Sequence, residues 1–406
     1  MPICINRSFS TTTVSNNTSF IYITIDDLEF RINLSNQELL SDNRLTFTKP
    51  TLVHYALCAL KGILHMTDHA PYTLMGLDVT CTSTIPIASG LSSSSAIVCN
   101  FLLLFNQLLL HQPISDRKLL SDIARRCEQY CGTLSGGMDQ AIILNGVHGS
   151  ALLIEFSPLD FGYFPLPDVS FVVAHSLEES HKAATDNYNI RVIECRLASL
   201  YVAIYLGLEF PKDLILRNVF HCAKVLDIDT MLNILENAVP DKLVYLEDVA
   251  TDLKIDLNFL TTKVVSSSLS SPTNIPFKPY KRALHVLNEA KRVYQLGKLF
   301  KSGVNSISEI GKILIESQFS LKDNYECSSA CLDELLYLVS TCNAYGRLTG
   351  AGWGGMAVIV VEKENVNILM DTLWKLFYQK RGIPDSSKND LLFEVNAVDG
   401  CVVETE

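Results

Sequence analysis

The sequence predicts a protein of mixed helices and strands that folds as two domains. Its 406 residues exceed the length at which one hydrophobic core usually keeps growing. Hydrophobic residues make up 48% of the chain and charged residues 19%, which supplies enough apolar material for packed cores. Apolar residues with strand-like alternation and with helical spacing follow one another along the chain. We place the domain boundary among the strands after residue 150, which gives domains 1–165 and 166–406.

The first 130 residues are predicted from the period of their apolar side chains. Alternation with a period of two indicates strands, and recurrence at helical spacing indicates helices. The turn residues Asp26-Asp27 separate the first two predicted strands. The predicted elements are strands at 21–25, 28–34 and 77–85 and helices at 52–65, 96–110 and 116–129.

The stretch PIASGLSSSSA, residues 86–96, lies between a predicted strand and the apolar helix at 96–110. This order places the serines at a helix N-terminus, where unpaired N–H groups and the positive end of the helix dipole favour an anion. Gly90 lets the backbone approach a ligand closely, and the serine hydroxyls add donors or a metal ligand. We interpret the stretch as a phosphate-binding loop. The simpler interpretation is a serine-rich turn that only caps the helix.

The stretch EQYCGTLSGGMDQ, residues 128–140, contains two acids suited to chemistry. Two glycines just before Asp139 indicate that the backbone comes close to something small, and that a tight turn rather than an exposed helix face presents this acid. Asp139 and Glu128 can face one cavity, where one binds a cation and the other accepts a proton. The alternative is that Asp139 caps the next segment and that Glu128 is a solvated helix residue.

Two further features carry weaker signals. Tyr188 precedes a helix predicted at 189–206 and either contacts a ligand or is a half-buried aromatic residue; the sequence favours neither. The stretch GRLTGAGWGG, residues 346–355, has five glycines and precedes a strand predicted at 356–361. Such a loop either contacts a ligand or permits close packing, and composition does not decide between the two.

Charge and cysteine usage narrow the function classes. The net charge of −11 argues against a general nucleic-acid surface but not against ATP, because magnesium and helix dipoles supply local positive charge. The 12 cysteines include no CxxC pair. We interpret them as packing residues rather than metal ligands, in a reducing compartment. We find no secretory signal and no membrane-spanning stretch, so we expect no membrane partner and a cytoplasmic location.

Taken together, five stretches resemble the GHMP kinases, the family of galactokinase, homoserine kinase, mevalonate kinase and phosphomevalonate kinase. They are GLSSSSA (90–96), GGMDQ (136–140), YNIRVIECR (188–196), YECS (325–328) and RLTGAGWGG (347–355). The resemblance is greatest to the eukaryotic galactokinases and N-acetylgalactosamine kinases and extends over nearly the whole chain. It implies an α+β fold of two domains with the ATP site between them. It also implies a monomer that uses ATP and Mg²⁺ to phosphorylate the anomeric hydroxyl of galactose or N-acetylgalactosamine.

The resemblance also implies roles for individual residues. Asp139 is implied as the base that accepts the proton of the sugar hydroxyl. The other implied roles are ATP binding by Gly90, Leu91, Ser92, Ser93, Ser94 and Ser95, metal binding by Ser94 and Glu128, sugar contacts by Gly136, Asp139 and Tyr188, and closure over the phosphates by Gly350, Ala351 and Gly352.

One family pattern has no counterpart in this sequence. The pattern Gly-Arg-Val-Asn-Leu-Ile-Gly-Glu-His-x-Asp-Tyr supplies an arginine near the transferred phosphate, and Met1-Pro2 align just after it. Ala330-Cys331 also replace a Pro-Glu of the family. Such an arginine contributes on the order of a thousandfold to the rate. We therefore expect this form to be an incomplete or spliced version of a working kinase, weak or inactive by itself.

Two other functions stay open at the level of sequence. A sensor that binds sugar and ATP without catalysis is favoured by the missing pattern and opposed by the intact serine loop, Glu128 and Asp139. A mevalonate-type kinase is disfavoured by GGMDQ and YNIRVIECR.

Overall fold

The chain contains both helices and strands and forms two compact units, which confirms the predicted fold class. Unit 1 comprises Met1–Ala183, Phe300–Ile307 and Ala330–Glu406, and unit 2 comprises Ala184–Leu299 and Ser308–Ser329. The computed structural model describes residues 1–25, 27–34, 51–66, 73–86, 90–131, 136–156, 158–179, 186–209, 214–265, 269, 272–303 and 306–404.

The regular elements are numbered in chain order. The strands are β1 Phe9–Asn16, β2 Phe20–Ile25, β3 Leu28–Asn33, β4 Gly76–Ser83, β5 Ser150–Glu155, β6 Asp160–Pro165, β7 Ser170–His175, β8 Tyr345–Leu348, β9 Met356–Val361 and β10 Leu392–Val395. The helices are α1 Leu52–Met66, α2 Ser93–Leu109, α3 Arg117–Gln129, α4 Met138–Asn145, α5 Asn187–Tyr205, α6 Leu216–Cys222, α7 Ile228–Ala238, α8 Leu246–Leu253, α9 Leu257–Phe259, α10 Pro279–Lys301, α11 Ile307–Asp323, α12 Ala330–Ser340, α13 Val366–Leu373 and α14 Lys388–Leu391. Within the described ranges, no helix combines the length and the apolar character that crossing a membrane requires.

The first sheet of unit 1 carries the helices that build the site. Its order is β1-β4-β2-β3, with β4 antiparallel to β1 and parallel to β2. Ile21 and Ile23 alternate inward and are fully buried, as the strand period predicts. Helix α2 is apolar on most of its surface, and its phenylalanines Phe101 and Phe105 lie in the same core. A helix with so little polar surface must be enclosed, so its N-terminus is held rigidly.

A second sheet of unit 1 has the order β10-β7-β9-β8, and all its neighbours are antiparallel. Strand β7 follows the predicted boundary at residue 165, yet it belongs to unit 1 together with strands from the C-terminal end of the chain. Contacts therefore divide the chain at other points than residues 165 and 166. As a boundary between family domains, the division into 1–165 and 166–406 stays a prediction.

Unit 2 consists of helices around an apolar core, and several of its charged side chains pair with one another. The carboxylate of Glu194 accepts hydrogen bonds from Arg191 Nη1 at 2.7 Å and from Arg282 Nε at 2.8 Å. Arg282 Nη2 also donates to Glu326 at 2.8 Å, and Lys278 Nζ donates to Glu326 at 2.5 Å. Burial disfavours the Glu326 carboxylate, but the hydrogen bonds from Lys278 and Arg282 outweigh burial and lower its pKa to about 2. Both Glu194 and Arg282 are only 1% exposed. Each therefore depends on its partners to replace the hydration that its charge loses on burial.

We predict that Glu194→Gln destabilises the chain by about 3 kcal/mol, because it leaves two guanidinium groups with less negative charge in a buried place. Lys242→Gln is the matched control, since Lys242 lies 4.0 Å from Asp252 in an exposed pair and its loss should change stability by less than about 1 kcal/mol. Urea unfolding of both variants measures the difference. Equal losses of stability would show that the paired charges of unit 2 contribute nothing beyond a surface pair.

Candidate active site

The serines of residues 92–95 lie at the start of helix α2, as predicted. Ser92 is the N-cap residue and has a left-handed backbone with φ of 59°, and its side chain forms no capping hydrogen bond. The first hydrogen bond of the helix runs from Ala96 N–H to the Ser92 carbonyl at 2.9 Å. The N–H groups of Ser93, Ser94 and Ser95 therefore precede the helical ladder and are directed out of the N-terminus. Residues 87–89 of the stretch lie outside the described residues.

Ser95 joins the starts of two helices to the end of a third. Its hydroxyl donates to Glu128 Oε1 at 2.5 Å and accepts a hydrogen bond from Gln140 Nε2 at 3.1 Å. Ser95 is 1% exposed, Glu128 5% and Gln140 0%. We call these three residues the α2–α3–α4 cluster. Because a buried carboxylate without partners is costly, the cluster sets how the three helix ends meet.

The two residues predicted to bind a metal, Ser94 and Glu128, differ in burial and in their contacts. The carboxylate of Glu128 lies against Ser95, whereas Ser94 is the preceding, half-buried residue of the same first turn. The interpretation of Glu128 as a solvated helix residue is wrong, since the side chain is buried. Metal binding by Ser94 and Glu128 stays a prediction.

Asp139 is half-buried in the first turn of α4. Gly137 is the N-cap residue of this helix, with φ of 93°, and its backbone lies against the Arg125 side chain, where a Cβ would come within 2.6 Å of Cδ. We expected a tight turn rather than an exposed helix face to present Asp139. The glycine turn is present at Gly137, and α4 begins directly after it, so that Asp139 lies half-buried in the first helical turn. The alternative, that Asp139 caps the next segment, is wrong, because the N-cap residue of α4 is Gly137.

Both candidate carboxylates lie near the same buried thiol of α2. Burial raises the pKa of Cys99, and the negative charges of Glu128 and Asp139 contribute further to that rise. Ser95 of the serine turn contacts Glu128, and Asp139 directly precedes Gln140, which contacts Ser95. That Glu128 and Asp139 face one cavity stays a prediction.

The glycine-rich loop joins β8 to β9 and lies on the serine turn. Gly350 has φ of 80°, and a Cβ there would lie 2.6 Å from the carbonyl oxygen of Gly90 and 2.9 Å from its Cα. Gly90 itself has φ of 83°, and a Cβ there would lie 3.2 Å from the Thr349 carbonyl oxygen. The two backbones touch, which the sequence alone did not show. Contact of Gly350, Ala351 and Gly352 with a ligand stays a prediction.

Sugar contacts by Gly136 and Tyr188 stay predictions. Gly136 is exposed, and no described atom lies within 4 Å of the place a Cβ would occupy. Tyr188 is half-buried in the first turn of α5 and belongs to unit 2. Sequence reasoning gave Gln140 no role of its own, although it stands in the GGMDQ stretch, and it did not identify the pairing of Ser95 with Glu128.

Comparisons with known proteins agree with this geometry. Residues 54–147 match the family model described as the GHMP kinases N terminal domain. That range runs from α1 through α4 and contains the serine turn, Glu128 and Asp139. The class of the protein is therefore that of the GHMP kinases.

Individual relatives define the family more closely. The chain is 34% identical to the galactokinase of Dictyostelium discoideum over 362 residues, which cover 83% of this chain and 71% of that protein. It is 30% identical to the galactokinase of Saccharomyces cerevisiae, over 82% of this chain and 71% of the relative. The crystal structure of Lactococcus lactis galactokinase complexed with galactose shares the fold, with a TM-score of 0.68 and 21% identity over 98% of this chain and 87% of that chain. The chain belongs to the galactokinase family of GHMP kinases.

We predict that Gly350→Ala separates the glycine-rich loop from the serine turn. A left-handed backbone costs a non-glycine residue about 1–2 kcal/mol, and the contact with Gly90 adds about 1–3 kcal/mol of overpacking. Gly149→Ala is the matched control, because Gly149 has φ of 66° and no described atom within 4 Å of the place its new methyl group would occupy. Urea unfolding should show a larger loss for Gly350→Ala, and amide exchange of residues 93–96 should rise only in that variant. Identical behaviour of the two variants would contradict the contact.

Proposed function

We propose that this chain is a sugar 1-kinase that transfers the γ-phosphoryl group of ATP to the anomeric hydroxyl of galactose. The observation that carries the proposal is the α2–α3–α4 cluster, in which Ser95 of the serine turn contacts the Glu128 carboxylate and Gln140, the residue after Asp139. The names of the Dictyostelium and Saccharomyces relatives support galactose as the substrate. Phosphoryl transfer needs positioning and charge neutralisation more than covalent chemistry, and this arrangement suits both needs.

The residues at the start of α2 fit the phosphates of ATP. The N–H groups of Ser93, Ser94 and Ser95 have no acceptor within the helix itself, and the helix dipole favours negative charge there. Gly90 and Leu91 directly precede this turn, and the Ser92 side chain forms no capping hydrogen bond with the helix. We assign the triphosphate to residues 90–95.

A magnesium ion fits the oxygen atoms of the same place. Mg²⁺ is usually held by one or two protein oxygens together with substrate phosphates, and Ser94 with Glu128 would supply a hydroxyl and a carboxylate oxygen. When bound, the ion neutralises charge on the phosphates of the nucleotide.

Asp139 is proposed as the base that accepts the proton of the anomeric hydroxyl. It is half-buried rather than enclosed, so a bound sugar can reach it, and it lies one residue from the cluster that fixes the serine turn. We assign Gly136 and Tyr188 to sugar contacts. We assign Gly350, Ala351 and Gly352 to covering the phosphates, because Gly350 already lies on Gly90.

The finer points of the sequence prediction belong to the same proposal. N-acetylgalactosamine is the second sugar to be assayed, although the relatives reported above are named for galactose alone. A cytoplasmic location is supported by the 12 cysteines, all of which are thiols rather than disulfides. The names of the relatives favour a kinase over a sensor without catalysis.

The experiment that tests the function is an assay of the purified chain with MgATP and each sugar. We expect ³¹P NMR to show phosphate on C1 of galactose, and the turnover rate also tests the prediction of weak activity. ATP binding without a phosphorylated sugar would overturn the proposal. Product from N-acetylgalactosamine but not from galactose would correct the substrate.

We predict that Asp139→Asn lowers kcat by about a hundredfold or more, because the amide cannot accept the proton, while ATP still binds. Asp168→Asn is the control, since Asp168 is an exposed acid of unit 1 paired with Lys363, and its kcat should not change. Calorimetric titration with ATP separates binding from chemistry. Unchanged turnover in Asp139→Asn would remove Asp139 from the catalytic role.

A further inference from the structure

Two thiols meet where helix α1 contacts helix α3. The Sγ atoms of Cys58 and Cys131 are 3.1 Å apart. Cys58 lies within α1 and has no exposed surface, whereas Cys131 is half-buried just beyond the C-terminal end of α3. Since the sulfur atoms of a disulfide are about 2.05 Å apart, an approach of about 1 Å would bring them to bonding distance.

The close approach of the two helices explains this thiol pair. A Cβ at Gly62 would lie only 2.1 Å from Cys127 Sγ, so the seam between α1 and α3 accepts no side chain at that point. Gly62 lies one helical turn after Cys58, and Cys127 lies one turn before Cys131. The two contacts are therefore neighbours along one seam, and the packing of Gly62 on Cys127 holds Cys58 against Cys131.

We propose that Cys58 and Cys131 form a site of reversible oxidation, a thiol pair that closes to a disulfide when the protein meets a peroxide. The Cys131 sulfur attacks one oxygen of hydrogen peroxide, the O–O bond breaks, and the departing hydroxide takes up the thiol proton to give water and a Cys131 sulfenic acid. Cys58 Sγ then attacks Cys131 Sγ, the S–O bond breaks, and the hydroxide leaves with the Cys58 proton as a second water. Two thiols are oxidised by two electrons in all, and one peroxide is reduced.

The surroundings of the two sulfurs decide which reacts first. The hydrogen-bonding contact with Cys131, together with burial, raises the pKa of the Cys58 thiol well above its ordinary value. Cys58 is thus a protonated, enclosed thiol at neutral pH. Cys131 has exposed surface, so the oxidant reaches Cys131 first and Cys58 completes the bond.

The thiol pair is connected to the candidate active site through the end of α3. The N–H group of Cys131 donates to the carbonyl oxygen of Glu128 at 3.1 Å, and the Glu128 side chain accepts from Ser95 in the α2–α3–α4 cluster. A disulfide draws Cys131 toward α1 and pulls on the turn that follows Glu128. We expect this to weaken ATP binding; that consequence rests on the proposed function, whereas formation of the disulfide does not.

The first test is chemical and needs no activity. The full chain is treated with hydrogen peroxide, its free thiols are blocked, and a digest that also cleaves after Glu128 separates Cys127 from Cys131. Mass spectrometry should find a Cys58–Cys131 linked peptide lacking two hydrogens, which disappears with dithiothreitol. Cys131→Ser should abolish the linked peptide, and Cys222→Ser, at an exposed cysteine, should leave it unchanged. Oxidation of Cys131 to a sulfinic acid without a link, or a link from Cys131 to another cysteine, would overturn the proposal.

The second test measures the connection to the site. We expect oxidation to raise the KM for ATP by about fivefold or more, a coupling of ordinary size, and dithiothreitol to reverse the change. Cys131→Ser should keep its KM in peroxide, and it avoids any folding defect of a change at the enclosed Cys58. An unchanged KM in the fully linked protein would overturn the coupling. A linked protein with no kinase activity in either state would leave the thiol pair established and overturn the proposed function instead.

Discussion

The hydrogen bond from Ser95 to the Glu128 carboxylate determines how the helices of unit 1 meet. A carboxylate that is almost fully buried loses several kcal/mol of hydration unless protein groups replace the water. Ser95 donates to Glu128 and accepts from Gln140, so one hydroxyl satisfies two neighbours at once. The starts of α2 and α4 and the end of α3 can satisfy these groups only when all three meet, and the cluster therefore selects one packing of the helices from those their apolar faces alone would allow.

Unit 2 is held by a different kind of polar contact. The negative charge of Glu194 balances the positive charges of two guanidinium groups, those of Arg191 and Arg282. Glu326 accepts hydrogen bonds from Arg282 and Lys278. Glu326 adopts a left-handed backbone with φ of 54°, an unfavourable conformation that its hydrogen bonds hold in place. In unit 1 the buried Glu128 carboxylate accepts from the neutral Ser95 hydroxyl, whereas the charged groups of unit 2 pair with one another. The first arrangement places an acid near a helix N-terminus, where we propose that it binds a metal ion, and the second pairs its acids with basic side chains.

The spacing of apolar residues predicted many of the helices and strands, but it did not predict the contacts between distant stretches of the chain. Alternation located β2, β3 and β4, and helical spacing located α1, α2 and α3 to within a few residues. Helix α2 begins before its predicted start because Ser93 to Ser95 adopt a helical backbone. Serine has a low helix propensity, and tertiary packing overrides that preference here. The choice of Ser95 over Ser94 as the partner of Glu128 could not be predicted, because successive helix residues differ by about 100° in direction and only the packed rotation of α2 decides which one faces α3. The contact of Gly350 with Gly90 joins two stretches that are far apart in the sequence. The pattern of residues within either stretch therefore does not predict it.

Two helix N-termini meet at the candidate site, and their dipoles support the proposal that an acidic chain binds a polyanion there. The helices α2 and α4 both begin after a residue with left-handed backbone, Ser92 and Gly137, and their first turns are joined through Ser95 and Gln140. Each N-terminus carries about half a positive charge, and this field acts within a turn of the helix, whereas the net charge of −11 is spread over the whole molecule. Screening by salt removes much of the distant repulsion at about 8–10 Å but little of a direct contact with amide groups. The local dipoles, rather than the overall charge, therefore favour the phosphate binding that we propose for the serine turn.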